Sequence, residues 1–115
     1  RGIKEKVIKL GLSSEKIRVI STPVNLEKFE KFDQKKVREI KNQYLGKKIV
    51  LFVGCLVKAK GLDYFLKAIS QIVHQESKVV FLFIGEGPER ESLEKKIQAL
   101  NLVQYVKLLG KKEHQ

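Results

Sequence analysis

Apolar residues follow two different spacings along the chain, and the change between them is sharpest in residues 48–73. Ile49–Val53 is a continuous β-branched and aromatic run without polar alternation, which is typical of a strand buried on both faces of a parallel sheet. After Gly54 and a short basic loop, the apolar residues recur on one helix face. They are Leu62, Phe65, Leu66, Ile69, Ile72 and Val73. The pattern predicts a strand, a loop and an amphipathic helix.

The same alternation continues towards residue 115. Val79–Ile84 is a second apolar run that is followed by glycine, and Val106–Leu109 is a third. Pro88 suits the first turn of the helix between them, whose apolar face carries Leu93, Ile97 and Leu100. The order β-α-β-α-β predicts an α/β fold with a Rossmann-like parallel sheet, one half of a doubly wound nucleotide-binding domain. No helical pattern follows the third run, so we expect a truncated domain whose third strand is left open on one face and one edge.

Residues 1–46 have a less regular pattern. Gly2–Leu10 predicts a short amphipathic helix, and Ile17–Ile20 predicts a short strand that Pro23 ends. Asp33 is a candidate N-cap for a helix that runs to about Leu45. The residues expected on its inner face are Val37, Ile40 and Tyr44.

The chain is strongly basic, with a net charge of +11 from 24 lysines and arginines against 13 acidic residues. Such an excess raises the question of nucleic-acid binding. However, most of these cations are lysines, and they are spread over helix faces and loops without interleaved aromatic residues. We therefore expect no nucleic-acid partner, and interpret the excess as a solvated basic surface that can also attract anionic lipid headgroups.

The cysteine content restricts the chemistry and the compartment. Cys55 is the only cysteine, which excludes an internal disulfide and a cysteine metal cluster, and fits a reducing cytosol. The chain has no apolar run long enough to span a membrane, and residues 1–10 lack the apolar core of a signal peptide. These features predict a cytoplasmic location, with peripheral contact at the inner face of a membrane as the alternative.

The basic loop after the first strand is the candidate anion site. Free N–H groups at a helix N-terminus attract phosphate when the helix follows a buried parallel strand. Lys58 and Lys60 add positive charge in this loop, and Asp63 lies in the first helical turn. The spacing therefore predicts a phosphate-binding loop.

Three blocks of sequence resemble one family, the retaining glycosyltransferases of the GT-B type with two Rossmann domains, in the large group numbered family 4. VISTPVNLEKF at residues 19–29 is similar to the family crossover V-I-P-N-G-V-D-x-x-x-F. FVGCLVKAKGLDYFLKAI at residues 52–69 resembles F-V-G-R-L-x-x-x-K-G-x-x-x-L-x-x-A. FLFIGEGPERESLEKKI and the later VKLLG resemble L-x-I-x-G-x-G-P-x-x-x-x-L and V-x-F-L-G. The blocks span nearly the whole chain in the family's order.

The resemblance implies a fold, a substrate and a division of the chain. Residues 1–23 correspond to the last helix and strand of the N-terminal domain, and residues 24–46 to a crossover linker and helix. Residues 47–115 correspond to the first half of the C-terminal domain that binds the nucleotide-sugar. The activity implied is transfer of a sugar from a nucleotide-sugar to an unknown acceptor without a metal or other cofactor. The rest of such an enzyme would be a missing partner of this chain, which we expect to be inactive alone.

The resemblance also implies residue roles, with one departure. The family lysine that holds the donor diphosphate matches Lys60, and Gly61 follows it as the pattern requires. The family arginine is replaced by Cys55, after Gly54, and a thiol offers no bidentate charged grip on phosphate. Either Lys58 takes part of that role, or donor binding is weakened, or the activity is lost.

Several features have plainer interpretations. Gly85 and Gly87 follow the second strand and either permit a tight turn or let backbone approach the donor. Glu86 and Glu94 show the E-x7-E spacing of the family's paired glutamates, but they precede the third strand, so we interpret the match as chance in a charged helix. The simplest interpretation of Cys55 is a small buried residue. The alternatives to an enzyme are an inactive fragment or binding module with the same fold and, less favoured, a nucleic-acid-binding domain.

Overall fold

A computed structural model describes residues 2–30 and 32–112, without the side chains of residues 28 and 29. The chain divides into two compact units, residues 1–34 and 35–115. None of the described helices is long and apolar enough to cross a membrane.

The first unit contains two short helices, α1 at Gly2–Lys9 and α2 at Glu27–Glu30, with a 3-10 turn at Ser14–Lys16 between them. Helix α1 agrees with the predicted helix to within one residue. The predicted strand at Ile17–Ile20 is wrong, because this segment has no regular secondary structure. A strand exists only when its backbone pairs with another strand, and the described residues provide no such partner.

The second unit is a three-stranded parallel sheet in the order β1-β2-β3. Its strands are β1 at Lys48–Val53, β2 at Val79–Ile84 and β3 at Val106–Leu108. Helix α4 at Leu62–Gln75 connects β1 to β2, and helix α5 at Arg90–Ala99 connects β2 to β3. The predicted α/β fold with a β-α-β-α-β parallel sheet is confirmed.

The core lies between the sheet and the two connecting helices. Alternate residues of β2 (Val79, Phe81 and Phe83) are buried together with side chains of α4 and α5, so both helices cover the same face of the sheet. Phe65 of α4 stands edge-on to Phe81, with ring centroids 6.1 Å apart. The other core residues include Leu56, Leu62, Leu66, Ile69, Leu93, Ile97, Leu102 and Val106.

The burial predicted for the first strand is wrong. Along β1 only Phe52 is half-buried, while Leu51 and Val53 are 56% and 65% exposed. β1 is an edge strand whose one neighbour among the described strands is β2, and α4 and α5 pack on the opposite face from Leu51 and Val53. The prediction holds for β2, which is central and buried on both faces. We expected the open face at β3, but Val106 of that strand is buried. Apolar side chains are more exposed along β1 than along β3.

Helix α3, at Gln34–Gln43, confirms the predicted helix before β1. Val37 and Tyr44 are half-buried as expected. The expectation for Ile40 is wrong, since this side chain is 51% exposed. The pattern of apolar residues located the helix but overestimated the width of its buried face.

A surface ion pair connects the start of β1 to the end of α4. Lys48 Nζ donates to Glu76 Oε2 at 2.8 Å, and the backbone N–H of Lys78 donates to Glu76 Oε1 at 3.0 Å. The hydrogen bond from Lys48, followed by that from Lys78, lowers the pKa of the Glu76 carboxyl, and the Glu76 carboxylate raises the pKa of Lys48. An exposed pair of this kind contributes little to stability.

Candidate functional site

The carboxyl end of the sheet is formed by two connecting loops that are hydrogen-bonded to each other. We call Gly54–Gly61, between β1 and α4, the first loop, and Gly85–Glu89, between β2 and α5, the second loop. Leu56 N–H donates to the Glu86 carbonyl at 3.0 Å, and Glu89 N–H donates to the Leu56 carbonyl at 3.1 Å. Gly54 N–H also donates to the Ile84 carbonyl at 3.0 Å. The first loop therefore continues the pairing of β1 with β2 beyond the strands.

The end of β3 joins the same arrangement. Gly85 N–H donates to the Gly110 carbonyl at 2.9 Å, and Leu109 N–H donates to the Phe83 carbonyl at 2.8 Å. All three strand ends are thereby connected through backbone hydrogen bonds. In open α/β sheets this is the edge at which ligands bind.

Gly85 and Gly87 allow the two loops to approach each other. A Cβ atom at Gly85 would overlap the carbonyl oxygen of Gly54 and lie 2.9 Å from its carbonyl carbon. A Cβ atom at Gly87 would lie 2.8 Å from the backbone nitrogen of Leu56. Gly85 also has a φ of 144°, which other residues rarely adopt. The close backbone packing accounts for both glycines, and their approach to a donor stays a prediction.

The first loop leads directly into the N-terminus of α4. Lys58–Lys60 forms a 3-10 turn, in which Gly61 N–H donates to the Lys58 carbonyl at 2.9 Å. Gly61 is the N-cap with φ 64° and ψ 30°, and no side chain caps the helix. The first backbone bond of α4 runs from Phe65 N–H to the Gly61 carbonyl at 3.1 Å. The N–H groups of residues 62–64 thus precede the first bond and are available to an acceptor.

A cleft of about 150 Å³ lies beside this helix start and receives residues from both loops and both helices. It brings together Lys58, Gly61, Asp63 and Glu89. Among the described residues, Asp63 accepts a hydrogen bond from Lys96 Nζ at 2.6 Å. This pair partly balances a carboxylate that would otherwise face the same helix end as an incoming anion.

Two predicted site residues, Cys55 and Lys60, are on the first loop but do not line this cleft. Both are exposed, so the interpretation of Cys55 as a buried residue is wrong. The neighbouring Leu56 is the residue of this loop that lies in the core, at 0% exposure. Within the described part of the chain, neither the Cys55 thiol nor the Lys60 ammonium has a side-chain partner.

A cluster of charged side chains outside the predicted site borders the same edge. Arg90 Nη1 donates to Glu86 Oε1 at 2.7 Å, and Arg90 Nε donates to Glu94 Oε1 at 3.0 Å. We call these three residues the Arg90 cluster. Each acid lies four residues from Arg90 in sequence, a spacing that favours ion pairs along a helix, so the sequence contained a signal for this cluster. The two ion pairs also give a structural reason for the E-x7-E spacing of Glu86 and Glu94.

Taken as a class, this is an α/β fold in which a three-stranded parallel sheet carries a basic loop at its carboxyl end. The chain belongs to the glycosyl transferases group 1 family, whose family model matches residues 33–115. It shares 34% identity over 71 residues with a 2-deoxystreptamine N-acetyl-D-glucosaminyltransferase of Niallia circulans, covering 62% of this chain and 18% of that enzyme. It shares 38% identity over 97 residues with an uncharacterized 41.2 kDa protein in the cps region of Klebsiella pneumoniae. The match covers 83% of this chain and 25% of that protein.

Solved structures show the same fold. Anabaena HepE, crystallised with UDP and glucose, superposes with a TM-score of 0.79 over 96% of this chain and 31% of its own, at 20% identity. A point mutant of S. aureus TarM, crystallised with fondaparinux, alpha-GlcNAc-glycerol and UDP, gives a TM-score of 0.56 at 28% identity. The match covers 58% of this chain and 14% of TarM. The chain spans a quarter or less of the length of the two curated relatives compared above.

Proposed function

We propose that this chain supplies the diphosphate-binding part of a glycosyltransferase that transfers a sugar from a nucleotide-sugar to an acceptor of unknown identity. One observation carries the proposal. In a chain of the glycosyl transferases group 1 family, Lys60 immediately precedes Gly61, the N-cap of α4, and no side chain caps that helix. A cation and a set of free N–H groups thus occur together at the carboxyl end of a parallel strand.

The chemistry of this end suits a diphosphate. The N–H groups of residues 62–64 donate without any charge of their own, and the helix dipole adds partial positive charge. Gly61 has no side chain to obstruct an approaching oxygen. Lys60 and Lys58 supply mobile ammonium groups, which bind phosphate as point charges. The diphosphate charge is then balanced by the protein itself, so no metal is part of the proposal.

The departure at Cys55 determines how strongly the site can bind. The family resemblance places an arginine at this position, where a guanidinium would donate two hydrogen bonds to phosphate. We propose that Lys58 replaces part of this charge, since it lies on the same loop and lines the cleft at the start of α4. Gly85 and Gly87 serve the same site by letting the second loop pack closely against the backbone of Gly54 and Leu56.

Lys60→Ala tests the proposal most directly. We expect it to weaken nucleoside-diphosphate binding by about tenfold to a hundredfold, because a charge-assisted contact to phosphate is worth roughly 1.5–3 kcal/mol. Calorimetric titration of the chain with uridine, guanosine and adenosine diphosphates measures the change. Lys67→Ala is the matched control, because Lys67 is exposed on α4 beyond its first turn. Equal affinities for wild type and Lys60→Ala would refute the diphosphate site.

A second candidate function is nucleotide binding without transfer. It is favoured by Cys55, which stands where the family resemblance places an arginine that holds the donor diphosphate. Transfer requires donor and acceptor to be held together, and the 115 residues correspond to 31% of HepE. We expect these residues by themselves to show no turnover with a panel of nucleotide-sugars and simple acceptors, although they bind the diphosphate. Measurable sugar transfer would contradict this expectation.

The basic composition supports a proposed location as well. A net charge of +11 favours contact with anionic lipid headgroups, so we propose a cytoplasmic protein that can bind the inner face of a membrane peripherally.

A further inference from the structure

The Arg90 side chain connects parts of the chain that are distant in sequence. It belongs to the first turn of α5, where its guanidinium donates to Glu86 on the second loop and to Glu94 one turn further along α5. A third, longer contact of 3.5 Å runs from Nη2 to the carbonyl oxygen of Leu108 in β3. The side chain is only 34% exposed. A single planar group thus contacts the second loop, the helix and the third strand.

The Arg90 cluster is also connected to the first loop through the backbone of Glu86. The Glu86 side chain accepts from Arg90, while the Glu86 carbonyl accepts from Leu56 N–H at 3.0 Å. Leu56 is fully buried and lies in the loop that carries Lys60. Displacement of Glu86 would therefore change the position of the backbone to which the first loop is bonded.

We propose that Arg90 is a positioning residue for the diphosphate site: it fixes Glu86, and through the Glu86 backbone it fixes the first loop. The inference rests on the proposed function only for its consequence in nucleotide affinity. The physical basis is that Arg90 forms three contacts with one ordered side chain, so the entropy of ordering it is lost once. Gly110 packs against the pair, since a Cβ there would lie 3.0 Å from Glu86 Oε1.

The cluster contains its own matched control. Glu86 and Glu94 both accept from Arg90 at i, i+4 spacing, and their side chains are almost equally exposed, at 49% and 48%. Only Glu86 belongs to the loop that bonds Leu56. Glu86→Ala and Arg90→Gln should therefore loosen the first loop, whereas Glu94→Ala should leave it in place. A role in overall stability alone would not separate the two glutamates.

The experiment combines amide hydrogen exchange with titration of uridine diphosphate. We expect Glu86→Ala and Arg90→Gln to speed exchange at Leu56 and Gly85 by about threefold to tenfold, and to weaken nucleotide binding by a similar factor. The Phe81 amide, bonded to the Tyr105 carbonyl at 2.7 Å in the core, should exchange as in wild type. Arg90→Lys keeps the positive charge but loses the planar guanidinium that contacts both glutamates. Its exchange rates and its nucleotide affinity should lie between those of wild type and Arg90→Gln.

Each result decides between the two proposals. Unchanged exchange at Leu56 in Arg90→Gln, or equal effects of Glu86→Ala and Glu94→Ala, would overturn the positioning role. Faster exchange at Leu56 with unaltered nucleotide affinity would overturn it too, because the loop would then not control the site. Absence of nucleotide binding by the wild-type chain would refute the proposed function, and the exchange rates would still decide whether Arg90 holds the first loop.

Discussion

Gly85→Ala is expected to lower the free energy of unfolding by about 3 kcal/mol. The added methyl would overlap the carbonyl oxygen of Gly54, and φ at this position is 144°. The obstructing atom is backbone, which cannot rotate away as a flexible side chain can. The strand ends would have to separate, and the bonds from Gly54 N–H to Ile84 and from Gly85 N–H to Gly110 would lengthen. Urea unfolding followed by circular dichroism measures the loss.

Gly46→Ala is the control for that experiment. Gly46 also has a positive φ, 77°, but a Cβ there would meet nothing within 4 Å. Its substitution should therefore cost only the conformational strain of about 1 kcal/mol. If the two variants are destabilised equally, steric overlap between the loops does not explain why residue 85 is glycine.

Cys55→Arg is expected to tighten nucleoside-diphosphate binding by about tenfold to a hundredfold. Cys55 is exposed on the first loop, so an arginine can be accommodated there without displacing core residues. Its guanidinium would restore the charge that the family resemblance assigns to this position, and would donate two hydrogen bonds where Lys58 offers a single point charge. Calorimetric titration with uridine diphosphate at two salt concentrations measures the gain and its electrostatic part.

Two further variants separate the effect of the added guanidinium from the effect of losing the thiol. Cys55→Ala removes the thiol without adding charge and should bind as wild type does, while Cys55→Lys should show a smaller gain than Cys55→Arg. If Cys55→Arg binds no better than Cys55→Ala, residue 55 does not face the bound phosphates, and the family role cannot be carried over to this position.

The order and the type of the elements in residues 47–112 follow from the local pattern of apolar and polar residues. β2 agrees with its predicted range, and α4 and β3 differ only at their ends, because local patterns distinguish helix from buried strand wherever apolar runs are long. The positions of Lys60 and Gly61 before α4 were also readable, since a loop between a strand and a helix is defined by its neighbours in sequence.

Which apolar residues are buried, and which polar residues meet, depends on how the whole chain folds. Leu51 and Val53 have the same character as the residues of β2, but β1 lies at an edge of the described sheet, and sheet order is not encoded in any local window. Ile17–Ile20 has a strand-like pattern, yet pairing depends on a partner elsewhere in the chain. The contact of Arg90 with Leu108 and the approach of Gly85 to Gly54 join residues far apart in sequence. Such contacts arise from how the strand ends come together in space, which periodicity along the chain cannot specify.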